Sequence, residues 1–157
     1  MHEVMVLVEK LARVLMSRGE RMATAESCTG GLVAGALTEL AGSSQWFEGS
    51  VVAYDNRVKT RLLGVGEDVL ARHGAVSREC AEAMVHGVCG LFDVPVGVSL
   101  SGIAGPGGGS IEKPVGLVWV AWQRDGRVWS RDFVFAGNRR QIRWQAVQAA
   151  LVELADA

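Results

Sequence analysis

Val4, Leu7, Val8, Leu11 and Leu15 recur at steps of three and four, the spacing of one helix face, and Gly19 follows as a left-handed stop. The period then shortens. Residues 21–26 suit a short strand, a polar turn follows at 27–31, and Leu32, Val33, Ala36, Leu37 and Leu40 restore helical spacing. Residues 42–49 read as a loop and 50–54 as a β-branched strand. Asp55 and Asn56 offer a cap to a helix that carries Lys59 in its opening turns. A short helix is predicted over 67–72. A longer one, capped by Ser77, turns Ala81, Met84, Val85, Val88 and Phe92 inward.

Residues 94–101 form a strand that empties into Gly102-Ile103-Ala104-Gly105-Pro106-Gly107-Gly108-Gly109-Ser110, too rich in glycine for regular structure. Strands over 115–123 and 127–135 meet at Arg124-Asp125-Gly126, where Asp-Gly signals a hairpin and hence an antiparallel pair. Asn138 can cap a last helix whose Ile142, Ala146, Ala150, Leu151 and Leu154 make its buried stripe. Helices before, between and after the strands predict an α/β fold, a mixed sheet covered on both faces, in one domain spanning 1–157.

With 157 residues, 49% hydrophobic and 21% charged, the chain can bury a sizeable core. A net charge of −1 leaves no basic excess to neutralise phosphates, so no nucleic-acid partner is expected. No apolar run approaches the roughly 20 residues that cross a bilayer, which predicts no membrane association and a cytoplasmic protein. Cys28, Cys80 and Cys89 form neither a C-x-x-C pair nor an even set, so they read as buried free thiols in a reducing compartment.

Several familiar signatures are missing: G-x-S-x-G, H-E-x-x-H and a phosphate loop ending in Gly-Lys-Ser/Thr. The glycine loop also misses the dinucleotide fingerprint, because Ser110 stands where the last glycine belongs. His2, His73 and His86 are scattered, so neither a metal site nor a Ser-His triad is expected. Lysine usage says more. Only Lys10, Lys59 and Lys113 break an otherwise arginine-only set of 16 basic side chains, and losing a proton is a task arginine cannot take over. Lys10 falls on the polar face of the first helix. Ser110 and Lys113 match S-x-x-K, but Pro114 disfavours the helix that would bring them together, leaving Lys113 to touch a ligand held by the adjoining loop.

Lys59 follows Tyr54 and is flanked by Arg57 and Arg61. Their field, together with burial, would lower a lysine from about 10.4 toward the 7 to 8 that a general base needs. Ser27, where a strand meets a helix, is a candidate nucleophile, with backbone N–H groups near Thr29, Gly30 and Gly31 as oxyanion donors. The same spacing suits Ser27 or Thr29 as a plain helix cap, and both readings stand.

Four segments belong together: Ala25-Glu26-Ser27-Cys28-Thr29-Gly30-Gly31; Tyr54-Asp55-Asn56-Arg57-Val58-Lys59 before Leu62-Leu63-Gly64-Val65; Ser101 to Gly109 leading to Lys113-Pro114-Val115-Gly116; and Gly137-Asn138-Arg139 with Arg143. Together, in this order and over nearly the whole chain, they resemble the CinA C-terminal domain family. The resemblance implies a three-layer α/β/α sandwich with a mixed, mostly parallel sheet. It also implies deamidation of nicotinamide mononucleotide to nicotinate mononucleotide and ammonia, in pyridine nucleotide salvage. Ser27 matches the family nucleophile, and Tyr54 and Lys59 match its proton-transfer partners, Lys59 acting directly or through the Tyr54 hydroxyl. Gly105, Gly107, Gly108, Gly109 and Ser110 would present donors to the nucleotide, and Arg139 would meet its phosphate. Neither metal nor other cofactor is implied, homo-oligomers are, and the length suits the stand-alone form. The alternatives are a non-catalytic nucleotide-binding or regulatory module and an amidase for a related carboxamide.

Overall fold

A computed structural model describes all 157 residues, Met1–Ala157. The elements run α1 (His2–Arg18), β1 (Met22–Glu26), α2 (Leu32–Thr38), β2 (Phe47–Val52), α3 (Asn56–Leu63), α4 (Glu67–His73), α5 (Arg78–Phe92), β3 (Val96–Gly102), β4 (Leu117–Arg124), β5 (Arg127–Val134) and α6 (Arg139–Asp156). The strands form one sheet in the order β2-β1-β3-β4-β5. β1 pairs in parallel with β2 and β3, and β4 is antiparallel to both its neighbours, so β4 alone runs against the other four strands.

Each sheet face is covered, which gives the three layers expected. On one face Val8, Leu11 and Leu15 of α1, Val33 and Leu37 of α2, and Ile142 and Leu151 of α6 pack on Met22, Val98, Leu100 and Val120. On the other, Met84, Val85, Val88 and Cys89 of α5 lie over Ala23, Ala25 and Ala121. The small strand residues on this second face let α5 sit close: a Cβ at Gly97 would fall 2.5 Å from the Cys89 sulfur. α3 crosses α5 closer still, since a Cβ at Gly87 would lie 1.9 Å from the Leu63 carbonyl oxygen.

The caps predicted at Asp55, Ser77 and Asn138 and the hairpin turn hold in detail, whereas α2 starts after Gly31 with no side-chain cap from Ser27 or Thr29. Asp55 accepts from the Arg57 amide at 2.9 Å, and Ser77 accepts from the Cys80 amide at 3.2 Å. Asn138 and Gln141 form a reciprocal capping box at the start of α6. Asp125 and Gly126 both take positive φ, 52° and 81°, as a two-residue hairpin requires. Most boundaries shift by a residue or two, and β2 differs most. β2 begins at Phe47, inside the expected 42–49 loop, and ends at Val52 rather than at 54. As an edge strand it pairs only with β1 and leaves Glu48 and Val52 exposed, so its start lacks the apolar alternation that marks a covered strand.

The topology positions the site. The chain leaves β1 over one face through α2 to reach β2, then returns over the other face through α3, α4 and α5 to reach β3 on the far side of β1. The connections part at the carboxyl end of β1, and an open α/β sheet forms its ligand crevice at such a place.

Candidate active site

Ser27 stands one residue past the end of β1. Its amide donates to the Leu100 carbonyl at 3.0 Å, which extends the β1–β3 ladder and fixes the backbone beneath the hydroxyl. The following turn is held from two sides. The carboxylate of Glu26, fully buried, accepts from the Thr29 hydroxyl at 2.7 Å and from the amides of Gly31, Val33 and Ala34 at 3.2, 2.9 and 3.0 Å. It thereby satisfies the open N–H groups at the start of α2. From α6, Arg143 donates to the carbonyls of Cys28 and Thr29 at 3.0 and 3.1 Å.

This bracing revises the expected roles of Thr29, Gly30 and Gly31. The Thr29 side chain is fully buried on Glu26, the Gly30 amide donates to the Ser27 carbonyl at 3.1 Å, and the Gly31 amide is taken by Glu26. In this turn the amides of Cys28 and Thr29 make no hydrogen bond within the chain. Gly30 and Gly31 serve the turn itself, with φ of 57° and 98°.

Lys59 comes from α3 and is only 1% exposed. Its Nζ donates to the carbonyls of Ala53 at 2.8 Å and Tyr54 at 3.2 Å, and lies 3.1 Å from the Ser27 Oγ. Burial pushes its pKa below the usual 10.5 and outweighs the opposing pull of Cys80, Asp55 and Cys28. Arg57 and Arg61, expected to contribute, are exposed, and Arg57 turns to Asp55 at 3.6 Å. Three acceptors around one amine have a consequence. When Lys59 is neutral, its two N–H bonds satisfy the two carbonyls and its lone pair is left for the Ser27 hydroxyl.

Tyr54 takes part differently from the hydroxyl relay offered as one reading of the sequence. Its carbonyl receives Lys59, while the residue as a whole is 64% exposed and its hydroxyl accepts from Arg139 Nη2 at 3.5 Å. Ser27, Tyr54, Lys59 and Arg139 line one cavity of about 270 Å³, together with Ser101 and the Ala75–Val76 loop. A larger groove of about 520 Å³ between the start of α1 and α6 is lined by Met1, Glu3, Gln141 and Trp144 and brings together no nucleophile and base.

The glycine loop sits apart from the cavity for most of its length. Gly102 and Ala104 line it, whereas Gly105, Gly107, Gly108, Gly109, Ser110 and Lys113 do not. Gly105 meets it indirectly, by accepting from Arg139 Nη1 at 2.8 Å. Ser110 and Lys113 close a local turn through a 3.0 Å bond from the Lys113 amide to the Ser110 hydroxyl, and the Lys113 ammonium caps α4 by donating to the His73 carbonyl. The three thiols are buried. Burial pushes Cys28 and Cys80 up to about 11 and Cys89 up to about 12, so Cys28 stays protonated beside Ser27. No helix is long and apolar enough to cross a membrane.

Comparison with known proteins shows the family and the fold. The model of the CinA C-terminal domain matches residues 5–157. The chain belongs to the CinA C-terminal domain family. Within that family it is 46% identical over 155 residues to a protein of Shigella flexneri named nicotinamide-nucleotide amidohydrolase PncC, covering 97% of this chain and 93% of that one. It is 49% identical over 138 residues to a putative competence-damage inducible protein of Moorella thermoacetica, covering 88% of this chain but 33% of that protein. The chain thus spans nearly all of some relatives and about a third of others. Among solved structures, the competence/damage inducible protein CihA of Agrobacterium tumefaciens has a TM-score of 0.95 at 43% identity, covering 98% of this chain and 94% of that one. Competence damage-inducible protein A of Klebsiella pneumoniae has a TM-score of 0.95 at 37% identity over 98% and 95% of the two chains.

Several residues of this CinA-family site escaped sequence reasoning. Glu26 and Arg143 lie inside the quoted segments, but nothing in their spacing tells that they brace the Ser27 turn. Ala75 and Val76 carry no signal, being small apolar residues in a loop. Asn56, read as a cap, lines the cavity while Asp55 does the capping.

Proposed function

We propose that this chain hydrolyses the carboxamide of nicotinamide mononucleotide to nicotinate mononucleotide and ammonia through an acyl-enzyme on Ser27. The observation that carries the reading is the 3.1 Å contact between the Ser27 hydroxyl and a buried lysine whose pKa is lowered. The names of the near full-length relatives supply the substrate. Ser27 Oγ attacks the carboxamide carbon while neutral Lys59 takes its proton. The amide of Cys28, which lines the cavity beside Ser27, receives the oxyanion. The Lys59 ammonium then protonates the departing nitrogen, the C–N bond breaks and ammonia leaves. Water attacks the ester, Lys59 accepts its proton, and the carboxylate departs as Ser27 regains the hydrogen.

Arg139, at the cavity mouth, meets the phosphate in this reading, with the exposed Gly107, Gly108, Gly109 and Ser110 and the half-buried Lys113 flanking the nucleotide. The same reading sets the reaction in pyridine nucleotide salvage in the cytoplasm, with the chain working as a homo-oligomer. Ammonia release from nicotinamide mononucleotide tests it. The wild type is expected to turn over and a folded Ser27→Ala variant to lose at least about a thousandfold. A silent wild type, or an active Ser27→Ala, overturns the proposal.

A further inference from the structure

β1 and β3 run in parallel register with Glu26 opposite Leu100, so Ser27 and Ser101 are the next residues along the two strands and stand side by side on the sheet face that α3 and α5 cover. Ser101 is 1% exposed and lines the cavity. Its hydroxyl donates to the Ala75 carbonyl at 2.8 Å. A carbonyl oxygen can only accept, so the single Ser101 proton lies on that bond and only lone pairs are left for the cavity. Ala75, Val76, Gly102 and Ala104, which surround it there, bring no polar side-chain atom. Beside the nucleophile and its lysine, the cavity therefore holds a hydroxyl that acts solely as an acceptor.

We infer that Ser101 Oγ accepts a hydrogen bond from the N–H of the substrate carboxamide, which selects amide over carboxylate and orients the leaving nitrogen toward Lys59. The inference rests on the amidohydrolase reading above and deepens it. An amide offers two N–H donors and satisfies the acceptor. A carboxylate offers only lone pairs, so the product faces repulsion at the same point and is released. In the tetrahedral adduct the nitrogen keeps both hydrogens, one of them on Ser101. Its lone pair is then free for the third, delivered by the Lys59 ammonium as the C–N bond breaks.

The test compares nicotinamide mononucleotide with the methyl ester of nicotinate mononucleotide, which carries the same acyl group without an N–H, in the wild type, Ser101→Ala and Ser101→Thr. Ser101→Ala is expected to lower kcat/KM for the amide by about tenfold or more while the ester changes by less than about twofold. Its inhibition constant for nicotinate mononucleotide should not rise, and Ser101→Thr should keep the wild-type amide-to-ester ratio. Both substrates are assayed on one sample, so any fraction that fails to fold cancels from the ratio. An amide-to-ester ratio unmoved by Ser101→Ala, in a chain whose wild type deamidates the nucleotide, overturns the Ser101 assignment alone. A wild type that releases no ammonia overturns the amidohydrolase reading and this inference with it.

Discussion

Under the proposed mechanism Lys59 meets two opposed demands: its amine is kept out of water, yet it has to exchange protons with the Ser27 hydroxyl 3.1 Å away. Burial disfavours its charged form, so the folded chain binds a proton there less readily than the unfolded chain does. At pH below the lowered folded value both states are protonated and the cost of burying the charge is felt in full. As pH rises from the folded value toward 10.5, that cost fades and stability increases. Lys59→Met is therefore expected to raise Tm relative to wild type at neutral pH, with the gap narrowing as pH climbs to about 10. Thermal unfolding at a series of pH values checks it, and a gap that widens with pH would count against burial as the cause. Tyr54 allows a separate test. Its carbonyl, not its hydroxyl, touches Lys59, so Tyr54→Phe should keep kcat within about threefold and show its effect in KM. The sequence marks Ser27 and Lys59 as candidates, one from its place between strand and helix, the other from the scarcity of lysine, and the structure sets the two side chains 3.1 Å apart. The atom by which Tyr54 reaches Lys59 was not legible, because spacing locates a residue and says nothing of which of its oxygens faces inward.

At the scale of elements, periodicity and caps were readable wherever a helix or strand has a covered face. That covers α1, α5, α6, the β4–β5 hairpin and the caps at Asp55, Ser77 and Asn138. β2 was blurred because an edge strand is under weaker pressure to alternate. Helix-on-helix distance was not readable either, and it controls the site: α3 reaches its seat only because Gly87 of α5 has no side chain under Leu63, four residues beyond Lys59. Gly87→Ala should cost about 1–3 kcal/mol by overpacking and also lower kcat by displacing α3. Gly90→Ala, in the same helix, is the control. Its Cβ would meet nothing within 4 Å, and the change should add about 0.5–1 kcal/mol through helix propensity with activity kept. Equal effects from the two variants, read by Tm and ammonia release, would remove the α3–α5 crossing as the device that places Lys59.

For the whole molecule, a layered α/β fold followed from the order of elements, but the strand order that brings β1 between β2 and β3 did not, since pairing is decided by contacts distant in sequence. That order collects Ser27, Lys59, Ser101 and Arg139 from four parts of the chain at the carboxyl end of β1. The whole assembly is proposed to serve one event, a neutral lysine relieving a serine of its proton. The most direct measurement is kcat/KM for ammonia release from nicotinamide mononucleotide as a function of pH, in the wild type and in Lys59→Arg. The account predicts a wild-type profile that rises and levels off through an ionisation below 10.5, and a loss of about a hundredfold or more in Lys59→Arg, whose guanidinium cannot give up its proton. A profile still climbing at 10.5, or near wild-type turnover by Lys59→Arg, would contradict it.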